Sequence, residues 1–237
     1  MLKDDIYNSV NSILNNHMDI SDITTVPDIE DSQLTFGLTG KRFNNVCFFI
    51  DMRGSTKILE KHNVNVVIKI HKAFFIIILK IVNSLNGEVR SFNGDSMLAF
   101  FVGNDSVAIN SAIEAAMKIK YLLMIDENCL KNKVFKKYDT EIDIGIGLDI
   151  GTTTAAKVGY SGTNNKDLIW IGSNVNHSVK MSDKRKTPNT IGITKRLYDN
   201  LTNETKYSNG KNMWQKSDYI YNEVIEDVYI TSYHWRL

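Results

Sequence analysis

Two aspartates stand where their neighbours favour chemistry. Asp51 closes the apolar run of "FFIDMRGST", residues 48–56, and Gly54 and the hydroxyls of Ser55 and Thr56 follow it. Asp95 lies in "SFNGDS", in a tight turn between two strand-like runs. Two carboxylates with solvent access suit Mg²⁺ or Mn²⁺, with phosphate oxygens completing the shell. A helix that starts after Gly54 offers bare backbone N–H groups and the positive end of its dipole to a phosphate. Taken singly, an aspartate before a helix also reads as a cap, and "NGD" also reads as a turn. The two contexts together favour a metal pair.

The elements that must hold this pair are legible. Residues 46–50 read as a strand broken by Gly54. A helix capped by Ser55 or Thr56 is expected to run to about Leu85 and to stop at Gly87. "EVRSF" and "MLAFFV" flank Asn93-Gly94-Asp95 as a hairpin. Residues 106–124 carry apolar positions on one helical face, and "EIDIGIGLDI" alternates as a strand that Gly151 is expected to turn. The strand "DLIWIG", the helix "NVNHSVKMS", the strand "NTIGIT", the helix "KRLYDNL" and two closing strands, "DYIYNEV" and "DVYITSYHW", complete the chain. From Val46 the order is β-α-β-β-α-β with additions, a ferredoxin-like α+β pattern of a sheet covered on one face by helices. Before it, residues 4–16 place Ile6, Val10, Ile13 and Leu14 at helical spacing, and an acidic, turn-rich linker surrounds Pro27. We therefore expect an N-terminal helix and linker over 1–37 and one catalytic domain over 38–237.

Composition narrows the class. The 237 residues are 43% hydrophobic, enough for a sizeable core. Lys+Arg 28 against Asp+Glu 27 gives a formal charge of +1 and no sign of a nucleic-acid surface. Cys47 and Cys129 form no disulfide framework, which suits a reducing, cytoplasmic setting. The start "MLKDDIYNSV" has no apolar signal core. The most apolar stretch, residues 73–79, lies between Lys72 and Lys80 and falls far short of the roughly 20 residues of a membrane span.

Apolar residues, Asp, two further positions and then Gly-Ser-Thr also resemble the first motif of haloacid-dehalogenase-like phosphatases. Those enzymes place a second aspartate two positions on as the general acid. Here that position is Arg53, which cannot protonate a leaving group. The full set of motifs instead resembles the catalytic domain of class III nucleotidyl cyclases, the adenylate and guanylate cyclase family. "FFIDMRGST", "GEVRSFNGDSMLAFF", "IGIGLDIGTTTAAKVG" and "LIWIGSNVNHSVKM" are similar to four family segments in the family's order, over about residues 44–181. The resemblance implies that Asp51 and Asp95 hold two ions of Mn²⁺ or Mg²⁺, with the carbonyl of Met52 as a further ligand. It implies that Asn176 orients the ribose and that Lys180 stands in for an arginine on the α-phosphate. It also implies a homodimer with sites at the interface, because these two residues serve the neighbour's site, and a 3′,5′-cyclic nucleotide as product.

Departures from the family bear on the base. Purine cyclases read it with a polar pair, and the matching positions here are Ser91 and Ile169. An apolar side chain leaves a polar edge of the purine unpaired, at a cost of roughly 1–3 kcal/mol per group. The lysine that some members place on the terminal phosphate is absent, with Glu226 and Asp227 in that region. Phe43, eight residues before Asp51, reads as an aromatic at the pocket mouth that stacks on a base or as one that packs at a strand start. The combination of "IDMRGST", "VRSFNGDS" and "DLIWIGSNVN" also resembles the pyrimidine cyclases of Pycsar anti-phage systems. That likeness implies UTP or CTP as substrate, with UTP favoured, and a separate effector that reads the cyclic product. Competing readings are a cyclase-like nucleotide sensor without turnover, which the lysine at 180 favours because it lacks the planar fork of arginine, and an adenylate cyclase, which Ser91 and Ile169 oppose.

Overall fold

A computed structural model describes residues 1–159, 162, 165–221 and 223–237. In chain order its elements are α1 (Leu2–Asn15), β1 (Asp19–Asp22), β2 (Thr39–Arg53), α2 (Ser55–Lys61), α3 (Val64–Ser84), β3 (Glu88–Asn93), β4 (Ser96–Val102) and α4 (Ser106–Lys120). A π-helical turn, Tyr121–Ile125, leads to α5 (Leu130–Tyr138), β5 (Asp143–Gly159), β6 (Lys166–Ile171), α6 (Ser173–Asp183) and β7 (Ile191–Thr194). The chain ends with short helices α7 (Lys195–Asp199) and α8 (Asn203–Lys206), a small hairpin β8 (Tyr207–Ser208) and β9 (Lys211–Asn212), then β10 (Gln215–Tyr221) and β11 (Val224–Thr231).

The spine of the sheet is β2 against β5, antiparallel from Gly40↔Ala156 to Arg53↔Asp143. The strand order is β10-β11-β7-β5-β2-β4-β3. Within it, β5-β2-β4-β3 is the ferredoxin-like arrangement, with β7 added parallel to β5. β1 pairs with the start of β2, and β6 with the far half of β5.

From Val46 to Ile50 β2 is apolar without interruption because both of its faces are covered there. Val46, Phe48, Ile50 and Met52 point to one side and pack under α3, α4 and α5. Phe43 and Cys47 point to the other and join Leu98, Phe100 and Val175. This second face is not bare, as a one-sided helical cover would leave it. α6 lies on it, and the segment between β1 and β2 contributes buried Val26 and Leu34.

Three local expectations change. The helix after Gly54 is two helices, because His62 is extended and Asn63 caps α3, its Oδ1 accepting from the Val66 amide at 3.2 Å. β5 runs straight through Gly151 as a 17-residue strand, since β2 pairs with it without a break from Asp143 to Ala156. α5, which the sequence reading left out, packs Leu130 and Val134 into the main core. No helix among the described residues is long and apolar enough to cross a membrane.

Candidate active site

Asp51 is brought to Asp95 by the backbone. Asp51 pairs with Ser96 in the β2–β4 ladder, and the Met52 amide donates to the Asp95 carbonyl at 3.2 Å. The hairpin turn is therefore tied to the end of β2. Gly94, with φ of 62°, supplies the left-handed step at its first central position, which a side chain would strain. Gly54, with φ of 79°, makes the turn from β2 into α2 in the same way.

Electrostatics at this point call for a cation. Burial and then the adjacent Asp95 carboxylate push the Asp51 pKa up to about 6, against the opposing pull of Arg53. Two carboxylates and the Met52 carbonyl are hard oxygen donors beside an open cleft, and they fit a divalent ion. No cluster of three or more His, Cys, Asp or Glu side chains suited to a metal occurs among the described residues, so such an ion would depend on backbone, water and phosphate oxygens as well. The cleft has a volume of about 530 Å³ and runs from Ser55, Thr56, Gly94 and Asp95 onto the apolar faces of α2 and α3.

Arg53, in sequence only a cation where an acid would be needed, is central to the geometry. Its Nη1 donates to Asp51 Oδ2 at 2.6 Å, its Nη2 to the Ser182 carbonyl, and its Nε to the Arg185 carbonyl at 3.3 Å. It thus joins the carboxylate strand to the end of α6. Gly145 on β5 makes room for it, since a Cβ there would run into both the guanidinium and the Ser182 carbonyl. A Cβ on Gly147 would likewise strike the Ser178 carbonyl. The signal was present in the sequence as "GIG" within an apolar strand, where alternate glycines mark close approach of another backbone.

Polar side chains seat α6 on the sheet. Buried Asn174 donates to Asn45 Oδ1 at 3.0 Å, and Ser178 Oγ donates to the Cys47 carbonyl at 3.1 Å. Asp149, fully buried in β5, receives Arg196 through Nε at 2.7 Å and through Nη2, and Arg196 Nη2 also donates to Ser173 Oγ at 3.2 Å. What α6 presents outward is Asn176 and Lys180, one turn apart on an exposed face. Lys180 Nζ sits 4.6 Å from the centre of the Tyr221 ring.

The remaining candidates are spread out. Ser91 stands opposite Leu98 in the β3–β4 ladder, after a register shift at Val89/Ser91, and so shares the face of Leu98, Phe100 and Trp170. Ile169 is 41% exposed and alternates with Trp170, whose ring packs 4.9 Å from that of Phe100. Phe43 is core. It meets Phe100 edge-on at 5.4 Å and Trp170 at 6.3 Å, and those rings take the space that a stacked base would need.

The family described as the adenylate and guanylate cyclase catalytic domain matches residues 38–219. A uridylate cyclase of Xanthomonas perforans is 29% identical over 240 residues, 100% of this chain and 99% of the relative. A uridylate cyclase of Gulbenkiania mobilis is 34% identical over 211 residues, 83% of this chain and 80% of the relative. The solved adenylyl cyclase CyaB of P. aeruginosa superposes with a TM-score of 0.65 at 17% identity, covering 81% of this chain and 95% of that one, a likeness of fold. By the span of the match and the order of its elements, the chain belongs to the adenylate and guanylate cyclase catalytic domain family.

Proposed function

We propose that the chain is a uridylate cyclase, converting UTP to 3′,5′-cyclic UMP and pyrophosphate at sites shared between two copies. The observation that carries this reading is the Asp51–Asp95 pair, held by the Met52–Asp95 bond at the mouth of the cleft that Ser55 and Thr56 line. When bound, two Mn²⁺ or Mg²⁺ ions would acidify the ribose 3′-hydroxyl and neutralise the triphosphate. Asp51, Asp95 and the Met52 carbonyl would hold them. Gly54, Ser55 and Thr56 would receive phosphate oxygens at the turn into α2. Asn176 would orient the ribose and Lys180 would meet the α-phosphate. Because both face outward from α6, they suit a partner's substrate, and this supports the dimer.

The base assignment rests on Ser91 and Ile169. Ile169 offers no donor or acceptor to a purine edge, and the Ser91 hydroxyl can donate to O4 of uracil. The names of the uridylate cyclase relatives support UTP over CTP. In this reading residues 38–237 form the catalytic unit in the cytoplasm, with 1–37 as an extension. The cyclic nucleotide is a defence signal against phage, read by a separate effector. Purified protein with Mn²⁺ and each of the four triphosphates at equal concentration tests the assignment. UTP is expected to react at least about 30-fold faster than ATP or GTP, the effect of two unmet groups at about 1–3 kcal/mol each. A purine triphosphate as best substrate overturns the base argument. CTP as best substrate makes the chain a cytidylate cyclase, and nucleotide binding without turnover makes it a sensor.

A further inference from the structure

Two apolar surfaces of this chain lie open and match each other. α1 buries none of its residues, although Ile6, Val10, Ile13 and Leu14 form a stripe along it. Their spacing of i, i+4, i+7 and i+8 is that of a helix laid in an apolar groove. The second surface is the cleft between α2 and α3. From Leu59 it runs over Ile68, Phe75, Ile76 and Leu79, a continuous face of α3. Ile68 is 47% exposed and Val10 45%.

Length and charge agree. Ile6 to Leu14 spans about 12 Å of helix, and Ile68 to Leu79 about 16 Å. The charged side chains of α3 are Lys69, Lys72 and Lys80, with no acid among them, and α1 brings Asp4 and Asp5 in its first turn. A lipid surface suits α1 poorly, because its polar face carries a single lysine, Lys3, where an anionic membrane calls for several.

At the Leu59 end of the groove, reach selects the second copy over the same chain. α1 is tethered through β1, which pairs with the first residues of β2. Leu59 follows the opposite end of β2, a strand of 15 residues and about 46 Å between its end residues. α1 spans about 21 Å and the three residues after it about 10 Å at full extension. The helix therefore falls short of Leu59 in its own chain. We propose that α1 docks in the α2–α3 groove of a second copy, each chain giving its helix and receiving the other's. The exchange is isologous, so one pair of surfaces closes the dimer. This inference rests on the pairing of two chains proposed above, and it gives residues 1–37 a role in holding the pair. The groove ends at Ser55, Thr56 and Asp95, so the docked helix would also wall the cleft beside the carboxylates.

Cross-linking of full-length chains tests it. Val10→Cys and Ile68→Cys are made in separate chains, mixed, and oxidised. The native Cys47 and Cys129 are buried and leave the background low. A covalent dimer is expected from the mixture and not from either variant alone. Separate sedimentation of the unmodified protein reports whether two chains associate. Association without the mixed cross-link, or a cross-link from Val10→Cys alone through an α1–α1 contact, overturns the docking and leaves the dimer standing. A monomer in sedimentation overturns both. Ile6→Asp with Val10→Asp, on a helix that buries nothing, keeps the fold intact and is expected to weaken association at least tenfold. An unchanged dissociation constant in that variant also overturns the docking.

Discussion

Asp51 has the most to gain from a bound cation. Its raised pKa, about 6 against an unfolded value near 3.9, means that the folded chain holds this proton more tightly than the unfolded one. The stability from this group is full below about pH 4 and is lost as pH rises through 6, where the ionised carboxylate faces Asp95 with only Arg53 to offset it. A divalent ion reverses that loss, and it competes with the proton below pH 6. We expect Mn²⁺ to raise the melting temperature clearly at pH 7.5 and little at pH 5.5, with Asp51→Ala abolishing the difference. Equal shifts at both pH values, or an undiminished response in Asp51→Ala, would remove this carboxylate from the metal site. At the same scale, Arg53 shows the limit of sequence reading. As a letter it was a cation where another family needs an acid. Of its three acceptors, Asp51 is two residues away, but Ser182 and Arg185 lie more than a hundred residues on, and spacing along the chain cannot reveal such contacts.

At the scale of elements, α6 carries Asn176 and Lys180, the residues proposed for the ribose and α-phosphate, and β5 determines where it lies. Gly145 and Gly147 let the helix backbone come down onto the strand, and the Asn174 and Ser178 hydrogen bonds then fix its roll. Gly147→Ala would place a methyl against the Ser178 carbonyl, which belongs to the helix and has no flexible end to swing away. The main core lies on the other face of the sheet and is untouched. We expect this variant to fold, to keep its Mn²⁺ response at Asp51, and to lose at least tenfold in kcat because Asn176 and Lys180 are displaced. Unaltered kcat would show that the seat of α6 does not govern turnover. Much of this layer was legible beforehand. The Asp51 strand, the "NG" hairpin, the split between helices and strands, and the short helix after "IWIG" all follow from local pattern. The break at His62 and Asn63 was missed because apolar spacing continues across it, while the cap that makes it is one asparagine. The straight run of β5 through Gly151 is not visible locally because the partner there, Asn45 of β2, is distant in sequence. For Phe43 local pattern allows base contact or core, and its packing beside Phe100 and Trp170 depends on strands distant in sequence.

At the scale of the whole molecule, the residues proposed for the two halves of the site lie on surfaces turned to different places. Asp95 lines the cleft beside α2 with Asp51 next to it in the sheet, whereas Asn176 and Lys180 face out from α6 on the second face of the sheet. Arg53 ties the far end of α6 to Asp51, so the helix cannot simply swing its outer residues into the same cleft without breaking that anchor. A twofold pair resolves this, since each chain then offers its carboxylates to one site and its α6 face to the other. The consequence can be measured by complementation. Asp51→Ala removes a carboxylate and Lys180→Ala removes a cation, and each homodimer would have two defective sites. In a mixed dimer, one site inherits both lesions and the other inherits none. Random exchange of equal amounts makes half of all dimers mixed, each with one intact site of two, so recovery to about a quarter of the unmutated rate is expected. Each variant alone should stay near background. A tagged chain that co-purifies with its untagged counterpart verifies exchange in the same tube. Exchange without recovery of activity would mean that each chain closes its own site, and would require α6 to reach the Asp51 cleft by a movement that breaks the Arg53 anchor.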